Sequence, residues 1–449
     1  MKCCFLVLLL LLSCVSARQA AAQNADERLQ QIADLITAGH LTEAEQQLTN
    51  LSKLEPNDAR IFNLLGTIRA QQKNLDGAEA LFLRATRLNP DFLGAHMNLA
   101  YLYVLKHEPD KTAFELSQVL RIDPANADAA YKLASLRLTQ GKPVAAIEFI
   151  TRFSENNALT VPLLLVLGDA YLKQGDVNNA ESRYRSALAL QTASPEALLG
   201  LAQIALLRKN DTAAFEFLNQ ADPLTKGSAD LSYKYAVVAL NAGLWDKAME
   251  AIKRAIGLKA EEPSYLLLMG IIWIRKGDPQ GAELSFRSFV KLRPADPQGQ
   301  LYLGYILLKQ KKTAEARHWI EQSIQKDPGR AEAYYYLGLI SQDDNDDEPA
   351  ALLFEKAIKL QPSLTPAHTA LGATFLKLKN YARAQQELET AVKQNPDDSK
   401  AHYNLAVLYG RLKDDQRSKS EMEILQRLKS SNKTPETEVD AVSPASRPE

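Results

Sequence analysis

Cysteine is nearly absent from this 449-residue chain, and the three present, Cys3, Cys4 and Cys14, all stand near its start. A chain processed beyond them has no disulfide and no thiolate metal site, so its stability must come from packing alone. A surplus of either charge is absent too. The 53 Lys and Arg face 54 Asp and Glu, and the two signs alternate along the chain. No basic face is left to neutralise phosphates, which excludes nucleic acid as a partner. No Gly-rich phosphate loop, His-Glu-x-x-His helix or Gly-x-Ser-x-Gly elbow occurs, so none of these routes to an active site is open. The apolar run from Cys3 to Leu12 is about half of the roughly 20 residues a spanning helix needs.

What the chain does contain is one pattern, repeated. The stretch from Ala59 to Pro90 reads as two helices and a turn: Phe62, Leu65 and Gly66 share one helical face, Leu81, Phe82 and Ala85 another, and Pro90 follows where a helix must stop. The pattern returns every 34 residues without insertion, in twelve registers opening at 25, 59, 93, 127, 161, 195, 229, 263, 297, 331, 365 and 399. The eighth place is small, as in Gly66, Ala100, Gly168, Gly270, Gly338 and Ala406, and fails only at Ile32. The twentieth is small as well, from Ala44 and Ala78 to Ser418, and the twenty-fourth is large and apolar, from Leu48 and Phe82 to Met422. Small packs on small, and the large residue fills the seam. A fixed period of this length means an all-α solenoid, stabilised by each unit stacking on the next.

The pattern resembles the tetratricopeptide repeat, whose aromatic, Leu-Gly, aromatic, Ala, Phe and Ala places are matched by Leu167, Gly168, Tyr171, Ala180, Tyr184 and Ala187. The resemblance implies a superhelix of paired helices over residues 25–432, with protein or peptide segments held in its concave groove. It implies no catalytic residue, metal or cofactor. Family members that bind acidic peptide ends use Lys and Asn at the fifth and ninth places of one unit, and this chain has no such pair. The asparagine ladder of others is reduced here to Asn98 and Asn404.

Residues 1–22 read as an export signal: Lys2, the apolar run, then small residues. Two cleavage readings stand side by side. Ala-type sites at Val15-Ser16-Ala17 or Ala20-Ala21-Ala22 suit ordinary cleavage, and Leu11-Leu12-Ser13-Cys14 looks like a bacterial lipobox that would lipidate Cys14 and anchor the chain to a membrane. Residues 433–449, rich in Ser, Thr, Pro and Glu, read as a disordered tail. Unit-ending prolines such as Pro90, Pro294 and Pro396 give way to Ala158, Thr192, Lys226 and Ala260 in the middle, which points to a soft joint near Lys226.

His96, His368 and His402 share the fourth place, which favours packing over ligation. The acidic run Asp343 to Glu348 fails as a calcium loop, because Glu348 replaces the turn glycine and Phe354 the closing glutamate. For a groove, the candidates are Tyr302, Tyr305, Tyr335 and Tyr336 as an aromatic floor, with Arg275, Lys309 and Lys377 as a basic edge. The expected function is a non-catalytic scaffold exported to the periplasm or beyond, with an accessory subunit of a bacterial envelope machine, for polysaccharide export or pilus or secretion assembly, as the alternative. Intact mass and palmitate labelling test export. Label dependent on Cys14 identifies a lipoprotein, an unlabelled start near Arg18 or Gln23 identifies ordinary cleavage, and full-length cytoplasmic protein overturns both.

Overall fold

Several helix starts in this chain fall where a short polar side chain can occupy a free backbone N–H. Asp58 accepts from the Arg60 amide, Asn126 from Ala129, Asp296 from Gln298 and Gly299, and Asp398 from Lys400 and Ala401. In the computed structural model, which describes residues 26–430, every regular element among the described residues is a helix. The expected signal and the expected tail lie outside the described residues. Helices alternate in antiparallel pairs, for example Ala59–Gln71 with Leu75–Leu88 and Ala331–Asp343 with Asp347–Leu360. The fold is an all-α solenoid.

Between the two helices of each pair the chain turns through one left-handed residue at the fifteenth place. It runs from Gly39 through Lys73 and Gly141 to Lys413, with φ of 56–86°. Glycine occupies several of these turns at no steric cost, and lysine, histidine or asparagine fill the others. The turn is worth its strain because it satisfies orphan carbonyls. The Lys73 amide donates to Ala70 at 3.0 Å and the Asn74 amide to Arg69 at 2.9 Å.

The seam between paired helices is filled from one side. A Cβ placed on Gly66 would stand 2.5 Å from the Phe82 ring, one on Gly168 2.7 Å from Tyr184, and one on Gly338 2.5 Å from Phe354. The ring therefore lies where the eighth residue has no side chain. Tyr184 is closed from both sides, since Gly200 of the next repeat would also bring a Cβ to 2.5 Å of it. Along the array the twenty-fourth residues are fully buried, with one exception: Met422 is 50% exposed. Among the described residues no further repeat follows to cover it.

Two compact bodies result, divided between Gly200 and Leu201 within the helix Pro195–Leu207. Near the expected joint at Lys226, contacts link the two sides. Asp222 pairs with Arg254 at 2.6 Å, Ser232 Oγ donates to the Thr225 carbonyl at 3.0 Å, and Ser228 caps the next helix.

Within each body, neighbouring repeats are laced by ion pairs on the solvent side of the seam. Arg69 reaches Glu45 and Lys106 reaches Asp76 and Glu79 in the first body; Lys312 reaches Glu283, Arg317 reaches Asp344 and Lys377 reaches Asp347 in the second. Two members of the acidic run thus serve as inter-repeat partners. Ion pairs near solvent add little net stability, so they set register more than stability.

Gly338→Leu should cost about 1–3 kcal/mol, since the interior has no room for four added carbons. Gly338→Ala combined with Phe354→Leu should recover most of the loss suffered by Gly338→Ala alone, because alanine already faces leucine or isoleucine in other repeats. Denaturant melts measure both, and an unchanged midpoint for Gly338→Leu would mean the seam is not where the strain falls.

Candidate functional site

The three histidines at the fourth place are buried and make the same pair of bonds. His96, His368 and His402 set Nδ1 against Glu115, Glu387 and Glu421 at 2.6, 2.7 and 2.6 Å. Their Nε2 atoms face the carbonyls of Pro90, Pro362 and Pro396 at 3.0, 3.0 and 2.9 Å. Both partners of each ring accept. A neutral imidazole could donate to only one of them, and at His368 the Glu387 carboxylate and the Pro362 carbonyl together favour the protonated ring. These rings are latches from the end of one repeat to both helices of the next. Gln300 makes the same link with an amide, donating from Nε2 to the Pro294 carbonyl at 2.8 Å. No group of side chains suited to a metal ion is found among the described residues.

The four tyrosines expected as a groove floor are brought together and covered. Tyr305 lies 5.2 Å from Tyr336, Tyr335 5.3 Å from Tyr336 and 6.0 Å from Phe354, and Tyr302 stacks on Phe286 at 5.2 Å between ring centroids. Tyr302, Tyr305, Tyr335 and Tyr336 retain 1, 4, 3 and 1% of their exposure. This departs from the expected open floor, and the cause is aromatic packing: rings at the fifth, sixth and ninth places of adjoining repeats fill each other's gaps and close on the seam phenylalanines. Burial also pushes the Tyr302 hydroxyl up to about 12. Of the basic edge, Arg275 is half-buried, Lys309 is exposed with its Nζ 5.6 Å from the Tyr305 ring, and Lys377 is exposed and paired with Asp347 at 3.3 Å.

A cluster of open apolar side chains on adjoining helices lies in the first body. On the helix Leu93–Leu105, Tyr101, Val104 and Leu105 point to one side and are 49, 55 and 62% exposed; Tyr131, on Ala127–Thr139, is 38% exposed. The two helices adjoin, since Lys132 Nζ stands 5.2 Å from the Tyr101 ring. The face continues into the preceding repeat, where Asn98 Nδ2 donates to Asn63 Oδ1 at 2.9 Å. Tyr131 was visible in the sequence as a fifth-place tyrosine. Tyr101, Val104 and Leu105 were legible only as three apolar residues on the side of the helix that the seam does not use.

A stack of helical hairpins whose periodic residues face inward and whose differences face solvent is a protein-interaction scaffold. Arrays of this kind are typically non-catalytic. The chain belongs to the tetratricopeptide-repeat family: profiles described as Tetratricopeptide repeat match residues 29–91, 165–229, 267–331 and 339–408. It is 23% identical over 251 residues to human Protein O-mannosyl-transferase TMTC3, covering 54% of this chain and 27% of that protein. It is 24% identical over 234 residues to Cellulose synthase operon protein C of Pseudomonas fluorescens (strain SBW25), covering 47% of this chain and 18% of that one. The chain thus spans about a quarter or less of each of these relatives' length. Among solved structures it is similar to yeast Tom70, at 16% identity and a TM-score of 0.44 over 86% of this chain and 94% of that one.

The His368 latch makes stability depend on pH. Burial lowers the proton affinity of His368, but the Glu387 carboxylate and the Pro362 carbonyl outweigh it, and its pKa is raised above the ordinary histidine value. A raised folded pKa adds stability that is fully present below the unfolded value of about 6.5 and is lost as pH rises through the folded value. Between pH 6 and pH 8.5 the wild-type melting midpoint should therefore fall further than that of His368→Gln, which keeps a donor for the carbonyl, as Gln300 does. Parallel slopes would mean that this ring stays neutral.

Proposed function

We propose that this chain is a non-catalytic scaffold that holds a segment of another protein along the first-helix face of its third and fourth repeats. The observation that carries the reading is the gathering of Tyr101, Val104, Leu105 and Tyr131 on adjoining helices with much of their surface in water. A single exposed apolar residue needs no explanation, whereas a cluster on one face is the mark of an interaction surface. Burying such area is worth roughly 25 cal/mol per Å² before the costs of association. Tyrosine adds broad contact at low entropy cost and keeps a hydroxyl to orient the partner.

We infer further that the chain works outside the cytoplasm, on the strength of residues 1–22. A narrower reading makes it an accessory subunit of a bacterial envelope machine. Residues 1–22, read as an export signal, and the likeness to Cellulose synthase operon protein C over part of the chain motivate that reading.

Purified protein incubated with an extract of its own cells, followed by identification of what is retained, tests the scaffold reading. Tyr101→Ala with Tyr131→Ala should weaken binding of the retained partner at least tenfold, about 1.4 kcal/mol, while leaving the melt unchanged. A partner bound equally by wild type and variant would overturn the assignment of this face.

A further inference from the structure

Two junctions between repeats in the first body hold a buried-side glutamate at the same place, the twenty-first. At the first, Arg69 Nη2 donates to Glu45 Oε1 at 2.6 Å and Gln72 Nε2 donates to Glu45 Oε2 at 3.3 Å. At the second, the Tyr103 hydroxyl donates to Glu79 Oε1 at 3.1 Å and Lys106 pairs with the other oxygen. At the third junction the donors of the first return as Arg137 and Gln140, two registers after Arg69 and Gln72, but the twenty-first place is Ala113. The side chain that would sit between them is a methyl group.

A notch of about 370 Å³ opens there, lined by Ala113, Phe114 and Ser117 on the helix Pro109–Ile122 and by Arg137, Gln140 and Lys142 across from them. Arg137 is half-buried. Its Nη1 donates to the Ala145 carbonyl at 3.1 Å and its guanidinium lies 4.7 Å from the centre of the Phe149 ring. No carboxylate comes within ion-pair reach of it among the described residues, although Asp110 lines the rim. Burial and the charge of Arg152 lower the Arg137 pKa, and Glu148 offsets them only in part. On the rim, Phe114 is 59% exposed.

We propose that this notch receives an Asp or Glu side chain from a segment of a partner protein. The carboxylate is seated between Arg137 and Gln140 as Glu45 is between Arg69 and Gln72, and an apolar neighbour of the acid lies on the ring of Phe114. A guanidinium accepts a carboxylate through paired N–H bonds that no neutral side chain reproduces, so the notch discriminates Glu from Gln. Lys142 at the mouth adds long-range attraction that salt should screen. The inference extends the scaffold reading, and its test does not depend on the first-helix face.

Terminally blocked peptides with a central Glu-Phe, Gln-Phe or Glu-Ala pair, titrated against the full chain by NMR, supply the test. The Glu-Phe peptide should bind at least tenfold tighter than Gln-Phe and measurably tighter than Glu-Ala. Ala113→Glu should fill the notch from within, raise the melting midpoint by pairing with Arg137, and weaken Glu-Phe binding at least tenfold. Arg137→Gln should weaken it equally, and Tyr101→Ala with Tyr131→Ala should leave it unchanged. Equal binding of the Glu and Gln peptides, no saturation by either up to about 10 mM, or unaltered binding to Ala113→Glu overturns the proposal. Tight binding of a Gln-Phe peptide that carries a free C-terminus would overturn the choice of a side-chain carboxylate. A natural partner sensitive to the tyrosine pair but indifferent to Ala113→Glu would sink the notch and leave the scaffold standing.

Discussion

A helix pair can close over an aromatic ring only if the facing helix gives up its side chain at that point, and the rest of this structure depends on that constraint. Phe82, Tyr184, Phe286 and Phe354 each face a glycine, at Gly66, Gly168, Gly270 and Gly338. Where the seam residue is Leu116, Ile150 or Ile252, the eighth place holds Ala100, Ala134 or Ala236 instead. Volume is conserved across the pair, not at either position, as close packing requires. Gly304 and Gly372 face aliphatic residues and look like exceptions, but a Cβ there would also stand 3.2 and 3.3 Å from the Ala316 and Ala384 carbonyls. At those two repeats the backbones come close, and glycine admits the helix itself.

This constraint explains why the architecture was legible from the amino acids alone while the open surface was not. Inward places are repeated because each is answered by another inward place at a fixed offset, so period and helix starts can be read column by column. Exposure is different: Tyr131 and Tyr335 share the fifth place, yet one is open and the other buried. Tyr335 has Tyr336 beside it and Phe354 beneath it, whereas Tyr131 has Lys132 and Ile150 in those places. A ring among rings is covered by them, and a ring beside a lysine stem is not. The aromatic count therefore points to Tyr302, Tyr305, Tyr335 and Tyr336, which are covered, while Tyr101 and Tyr131 in the first body are open.

The histidine latches show a second kind of signal, which only a comparison of two columns reveals. Glutamate stands at the twenty-third place in the three repeats that carry histidine at the fourth, as Glu115, Glu387 and Glu421, and nowhere else in that column. Taken singly, a buried histidine invites thoughts of a ligand. Taken with its glutamate and the carbonyl that ends the preceding repeat, it is a hydrogen-bonded joint that engages both ring nitrogens. Burying polar groups of this kind costs desolvation free energy, which the bonds at both ring nitrogens offset.

Function in such an array has to live where the periodic rules are broken, because a rule that holds in every repeat cannot distinguish one stretch of surface from another. The inter-repeat ion pairs make the point. Where Glu45 meets Arg69, the protein satisfies its own cation and the surface is closed to a carboxylate from outside. Where the same cation recurs without its acid, as at Arg137, part of the desolvation cost of a half-buried guanidinium stays in the folded state, and a carboxylate from outside would relieve it. A selective pressure for stability alone would restore the acid, since glutamate fits that helix position in neighbouring repeats. The same reasoning applies to Tyr101, Val104 and Leu105, which could be polar without disturbing a seam they do not touch. Sites of this sort vary between relatives even when the seam columns hold, which is why low overall identity is compatible with a shared fold and carries no partner across with it.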